Sequence, residues 1–181
     1  MERRVRFFKI TILFLFIPFL LWTILQFLAP ISLPQGSVED LSGLTAVSDN
    51  EKIINDMPSP WNSIYSIGDR LCHQRADRSF FINGNQMPFC SRCTAIWIGI
   101  TTGLAFMIFY KIKLDGRFII LIIIGLVPIA IDGLGQLVNL WESTNISRLI
   151  TGILIGVVCG LALGIIVDEL KDIFKLIKNK K

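Results

Sequence analysis

The sequence predicts an all-α membrane protein: four transmembrane helices in a bundle, with an extracytosolic helix-and-hairpin cap between the first and second spans. Three observations predict it. The chain is 52% hydrophobic over 181 residues, with a mean hydropathy of +0.62, which is more apolar than an ordinary soluble domain. Four apolar runs, 10–29, 94–110, 118–138 and 149–167, approach the ~20 helical residues needed to cross a ~30 Å hydrocarbon core. Lysine and arginine also gather in alternate connecting segments, as they do in a chain that threads a bilayer repeatedly.

Residues 1–29 hold a basic segment and the first span. Arg3, Arg4, Arg6 and Lys9 resemble the start of a signal peptide. The apolar stretch, however, outruns the usual ~7–15 residues and ends in bulky Phe27-Leu28 before Pro30, with no small-x-small cleavage site. An uncleaved anchor is therefore expected. The second run is short, but Lys111 and Lys113 can snorkel at one end and Trp97 can anchor towards the other.

Charge placement gives the orientation. The 111–117 loop carries Lys111, Lys113 and Arg117, and the 168–181 tail carries Lys171, Lys175, Lys178, Lys180 and Lys181, whereas 139–147 has neither lysine nor arginine. Both termini and the middle loop are expected in the cytoplasm of a multi-pass cell-membrane protein, with residues 30–93 outside. The formal charge of +4 reads as cytoplasmic lysines facing anionic lipid. The bilayer is the expected partner, and no patch suited to nucleic acid is present.

Residues 94–167 hold spans two to four. In the fourth, Gly152, Gly156, Gly160 and Gly164 recur every four residues. Each glycine costs about 1 kcal/mol against alanine in a helix in water. Four in register make a ridge for close backbone approach. Span two offers Gly99 and Gly103 as the matching surface; a homo-oligomer seam is the other use of the ridge. Cys159, on the same helix, reads as a small packing residue.

The 30–93 segment begins as mixed loop. Ser59-Pro60 then reads as an N-cap and first helical proline, opening a helix that places Trp61, Ile64, Tyr65, Leu71 and Cys72 on one face against the membrane surface or bundle mouth. Asn83-Gly84 is a two-residue hairpin signal, since both positions of a type I′ turn take positive φ. Pairing 82 with 85 folds Cys72-His73 back towards Cys90 and Cys93, and Pro88 limits the ladder.

Three cysteines and the sole histidine thereby fall within 22 residues. Cys72, His73, Cys90 and Cys93 supply the ligand types of a closed zinc centre, which would be structural rather than catalytic with four protein ligands. Alternatively, Cys90-Ser-Arg-Cys93 at a helix N-terminus, beside Arg92, suits thiol-disulfide exchange with Cys72 as a third thiol. A plain structural disulfide is the third reading. A c-type haem is disfavoured because Thr94 stands where histidine would follow the second cysteine.

A second cluster lies in the spans. Asp132 sits about 21 Å up the third helix by the 1.5 Å rise, and an intramembrane carboxylate is costly enough to suggest function. With Gln136, Glu142 and Arg148 it would line a polar pocket at the cysteine end, with Arg148 as its ionic partner and open space at Gly133 and Gly135. Candidate catalytic residues are accordingly Cys90, Cys93 and Asp132; a small-solute transporter or sensor built on Asp132 and Arg148 is a further option.

Cys72-His-Gln74, Arg78-Ser-Phe-Phe81, Gly84, Gln86, Pro88 and Cys90-x-Arg-Cys-Thr94, followed by Gly99, Pro128, Asp132-Gly133, Gln136, Glu142-Ser143, Asn145, Arg148 and Thr151-Gly152, resemble the small prokaryotic membrane proteins called domain of unknown function 2085. Ala95 stands where that pattern has glycine. The resemblance implies a multi-span membrane protein and brings no established activity.

Overall fold

The computed structural model describes residues 2–179. The side chains of Arg3, Arg4, Arg6, Lys171, Lys175 and Lys178 lie outside the described part, as do Lys180 and Lys181 entirely. Among the described residues, four helices are long and apolar enough to cross a membrane. They lie within α1 (Glu2–Ser32), α4 (Ser91–Phe109), α5 (Gly116–Leu137) and α6 (Asn145–Asn179). The spans are Phe8–Ser32, Ser91–Phe109, Gly116–Leu137 and Asn145–Leu170, each extending an expected apolar run by a few polar or capping residues at one or both ends.

The helices pack in the order α1, α4, α6, α5. The glycine ridge sets the central pair. A Cβ on Gly156 would lie 2.8 Å from Gly99 Cα, and one on Gly99 would lie 2.8 Å from Val157 N. Gly160 abuts Ile100, Gly103 abuts Val157, and Gly152 faces Ala95 and the Arg92 carbonyl. The ridge thus brings α6 backbone onto α4 backbone within one chain, in the small-residue manner of membrane helices. Gly164 instead meets Met107. Between α1 and α4, Thr23 and Thr101 hydroxyls lie 3.0 Å apart, beside a cluster of Phe19, Trp22 and Trp97.

At the end of the bundle away from the cysteines, Asp115 caps α5 by accepting from the Arg117 and Phe118 amides at 3.1 and 3.0 Å. This cap starts the helix slightly before the expected Phe118. Lys111 pairs with Asp168 and lies 5.2 Å from the centre of the Phe8 ring.

At the other end, residues 33–90 fold over α1. Ala29, Leu33, Val38, Leu41, Ile54, Met57, Ile64 and Tyr65 form one buried cluster, flanked by Trp22, Leu25 and Trp61. It includes residues of α2 (Glu51–Asn55) and α3 (Trp61–Leu71). Pro60 occupies the cap position of α3, one residue later than Ser59. Its buried face runs through Ile64, Tyr65, Gly68 and Asp69, while Leu71 is exposed. The expected face is corrected there: Leu71 keeps the helical register of Ile64 and Gly68 but is the last residue of α3 and lies exposed at its end.

The hairpin forms as the Asn-Gly pair dictates. β1 (Phe81–Ile82) pairs antiparallel with β2 (Asn85–Gln86), Ile82 opposite Asn85, and Asn83 and Gly84 have φ of 56° and 72°. One more bond, Met87 N to Phe80 O at 2.9 Å, closes the ladder before Pro88. Its two amide side chains hold the loop down. Asn85 donates to Pro30 O at 2.9 Å and accepts from Val38 N at 3.0 Å. Gln86 accepts from Leu41 N at 2.9 Å and donates to Gln74 O.

Candidate functional site

Three sulfurs meet at the junction of this folded loop and α4. The Sγ atoms of Cys72, Cys90 and Cys93 all lie within 4.8 Å of one another. All three are free thiols, Cys72 buried and the other two partly so. Cys72 ends α3 in extended backbone, φ −140° and ψ 146°. Gln74 turns the chain at φ 43° and is anchored by donating its side chain to Pro88 O at 2.7 Å. Gly68 makes room for that crossing, since a Cβ there would lie 2.7 Å from Gln74 Nε2 and would strike Pro88 O. Cys90 is the N-cap residue of α4, and Cys93 stands one turn on.

Backbone amides of Gln74 and Cys90 donate to Cys72 Sγ at 3.5 and 3.4 Å. The Cys72 and Cys93 thiols donate towards Cys90, which holds its pKa far below the usual thiol range, with the Cys93 and Arg92 amides adding to the effect. Neither amide makes a cap hydrogen bond of ordinary geometry to that sulfur, so their contribution is the positive end of the α4 dipole. Cys72, as a donor to Cys90 and buried, is shifted upward. One thiolate shared among three sulfurs is a state that a soft cation would displace protons from.

His73 does not join them. It is exposed, and no imidazole nitrogen belongs to the sulfur group. In extended backbone, successive side chains point to opposite sides, so burying Cys72 turns His73 outward. Cys159 lies along α6, remote in sequence from this junction and outside the group.

The polar residues do converge at the same end, with a different partner for the carboxylate. Asp132, 8% exposed, forms an ion pair with Arg92, where Arg148 was expected. Arg92 occupies the first turn of α4, inside the Cys-x-x-Cys motif, and reaches across to α5. Asp132 Oδ2 also accepts from Ser143 Oγ at 3.0 Å and Gln136 Nε2 at 3.2 Å. Arg148, 5% exposed, donates to Gln136 Oε1 and Asn145 Oδ1, each at 3.3 Å. Ser91 Oγ lies 2.9 Å from Asn145 Oδ1 and donates to Arg78 O at 3.0 Å. Glu142 is exposed and stands apart from this network. Gly133 has open space beside it, but Gly135 is covered by the Trp141 ring, which corrects the expected gap there. Ser147 and Ser91 were missed by sequence reasoning, and Ser143 entered only through the family resemblance, since isolated serines carry no signal of their own.

Residues 72–162 match a family described as "Predicted membrane protein (DUF2085)", and the chain belongs to that family. It is 43% identical over 96 residues to an uncharacterized protein of Methanocaldococcus jannaschii, a match covering 51% of this chain and 61% of that relative. The chain thus spans about three-fifths of that relative's length. An uncharacterized protein of Methanothermobacter thermautotrophicus is 35% identical over 92 residues, covering 51% of this chain and 81% of the relative. No solved structure matches. Cys72, Cys90, Cys93, Arg92, Asp132 and Arg148 all fall inside the family segment.

Proposed function

We propose that this membrane protein holds a thiophilic metal ion, zinc or a close relative in softness, on Cys72, Cys90 and Cys93. The observation that carries the reading is the gathering of three Sγ atoms within 4.8 Å at a helix N-terminus that favours thiolate. Soft thiolates select zinc and copper(I) over hard cations. With His73 turned away, three protein sulfurs leave one tetrahedral position for water or an exogenous ligand. That is the donor count of an accessible centre rather than a closed structural one.

Positive charge at both ends and in the 111–117 loop supports a multi-pass cell-membrane protein with cytoplasmic termini and the cysteine end outside. A reporter active only in the cytoplasm, fused after residue 114, should be active; fused near residue 45, it should be silent. The reverse pattern would invert the orientation.

The metal reading is tested by elemental analysis of purified protein. About one ion per chain should copurify, Cys72→Ser or Cys90→Ser should abolish it, and His73→Ala should leave it within about twofold. A metal-free protein whose three thiols alkylate freely would defeat it. The low pKa of Cys90 favours one alternative, in which Cys90 thiolate attacks a disulfide substrate and Cys93 resolves the mixed disulfide, so the pair is oxidised as the substrate is reduced. In that case Cys93→Ser should trap a mixed disulfide on Cys90.

A further inference from the structure

Three arginines crowd the same end of the bundle with too little negative charge to match them. Arg92 has Asp132. Among the described residues Arg78 has only Asp77, whose exposed carboxylate lies 3.6 Å from its Nε and already holds Arg75 at 3.0 Å. Arg148 is the most deeply buried of the three and has no ion-pair partner among the described residues; its neighbours are two neutral amide oxygens at 3.3 Å. The Nε atoms of Arg78 and Arg92 are buried and without a hydrogen-bond partner. Arg78 and Arg92 are both close enough to repel Arg148 electrostatically, with Asp77 and Asp132 offsetting this from a distance without pairing with it.

A buried guanidinium without a counter-charge is costly, the more so in a membrane-spanning helix. Here the cost is compounded by two further cations and by the positive N-terminal ends of α4 and α6, which carry Arg92 and Arg148 in their first turns. Unused donors, excess positive charge and two helix N-termini facing one locus suit a ligand with several acceptor oxygens and negative charge.

We propose that Arg78, Arg92 and Arg148 form a binding site for one oxyanion group of the phosphate type, at the cysteine end between α4 and α6. Arg148 supplies the central charge, and the guanidinium groups of Arg78 and Arg92 flank it, with Arg92 Nε lacking a partner and Arg78 Nε held only by the long contact to Asp77. Ser91 and Asn145 hold the two helix starts together, and Asp132 fixes Arg92 in place. The group is supplied either as a free anion or as a lipid headgroup. The site does not depend on metal at the cysteines.

The test uses the full chain purified in uncharged detergent. Inorganic phosphate at millimolar concentration should raise the thermal midpoint by several degrees over chloride at equal ionic strength. Nanodiscs of phosphatidic acid or phosphatidylcholine form the second arm. Stabilisation by free phosphate assigns a soluble oxyanion; stabilisation by phosphatidic acid alone assigns a headgroup; either supports the site. Arg148→Gln should weaken phosphate or phosphatidic acid binding at least tenfold with metal content unchanged. If Arg148→Gln fails to fold, Arg78→Gln should weaken binding several-fold. Equal effects of chloride and phosphate with no lipid preference would overturn the proposal. So would binding that survives in the variant that folds.

Discussion

Asp132 has Arg92 as its ionic partner, and a double-mutant cycle can establish that against Arg148. Among the described residues Asp132 is the only acid paired with Arg92, whose Nε has no hydrogen-bond partner. Asp132→Asn therefore strands a guanidinium. Removing one member of a fully buried pair costs about 3–5 kcal/mol. The Arg92 side chain is 25% exposed, so water recovers part of this and about 2–3 kcal/mol is expected. Arg92→Gln should cost less, about 1–2 kcal/mol, because the carboxylate keeps Ser143 and Gln136 as donors and can take up a proton. At roughly 2–4 °C per kcal/mol for a chain of this size, Asp132→Asn should lower the midpoint of tryptophan fluorescence on heating by about 5–10 °C. Combining it with Arg92→Gln should recover about 1–2 kcal/mol of the summed cost. Combining it with Arg148→Gln should recover less than half as much, since those two residues meet only through Gln136. A coupling concentrated on Arg148, or a silent Asp132→Asn, would refute the pairing and the view that it ties α5 to α4.

Gly156→Val should separate α6 from α4, because even its Cβ would sit 2.8 Å from Gly99 Cα and 3.0 Å from Ile96 Cα, backbone atoms that cannot rotate aside; about 2–3 kcal/mol is expected, read as a lowered midpoint, and an unchanged one would place the helices wrongly. Tyr65→Phe should cost about 1–3 kcal/mol, because the buried hydroxyl donates to Gln86 O at 2.7 Å and that carbonyl would lose its donor. Burial raises the Tyr65 pKa, so the folded state favours the neutral phenol. That stability is complete below the unfolded value near 10 and falls as pH rises beyond it. Midpoints measured from pH 9 to 11.5 should therefore drop less steeply in Tyr65→Phe than in the parent chain.

The parts of this fold that were legible from sequence depend on local rules. Span existence follows from length and apolarity, and the hairpin register from two positive-φ residues at Asn83 and Gly84. The partner of the glycine ridge was readable for a related reason. Gly99 and Gly103 are spaced to admit a second backbone, and sequence neighbours in no other span offer the same opening. Span ends shifted by a few residues because Asp115 and Asn145 start their helices with polar groups that an apolar count excludes.

The candidate site was legible in composition and misread in its partners. Cys72-His73 looks like half a zinc ligand set, but adjacent side chains in extended backbone diverge, so only one of the two can face Cys90 and Cys93. Arg92 was read through its sequence neighbours as a group acting on thiols. In the fold, its position in the first turn of α4 directs it to α5 instead. That direction depends on α6 lying between α4 and α5 along most of their length while leaving their ends at the cysteine side within arm's reach, a fact of helix arrangement that no single span encodes. The consequence is physical. Once Arg92 takes Asp132, Arg148 keeps only neutral hydrogen-bond partners, and the surplus positive charge at this end of the bundle falls on its most buried arginine. Pairing Asp132 with Arg148 would leave the same surplus on Arg92, whose side chain is 25% exposed, where water could carry it without an anionic ligand.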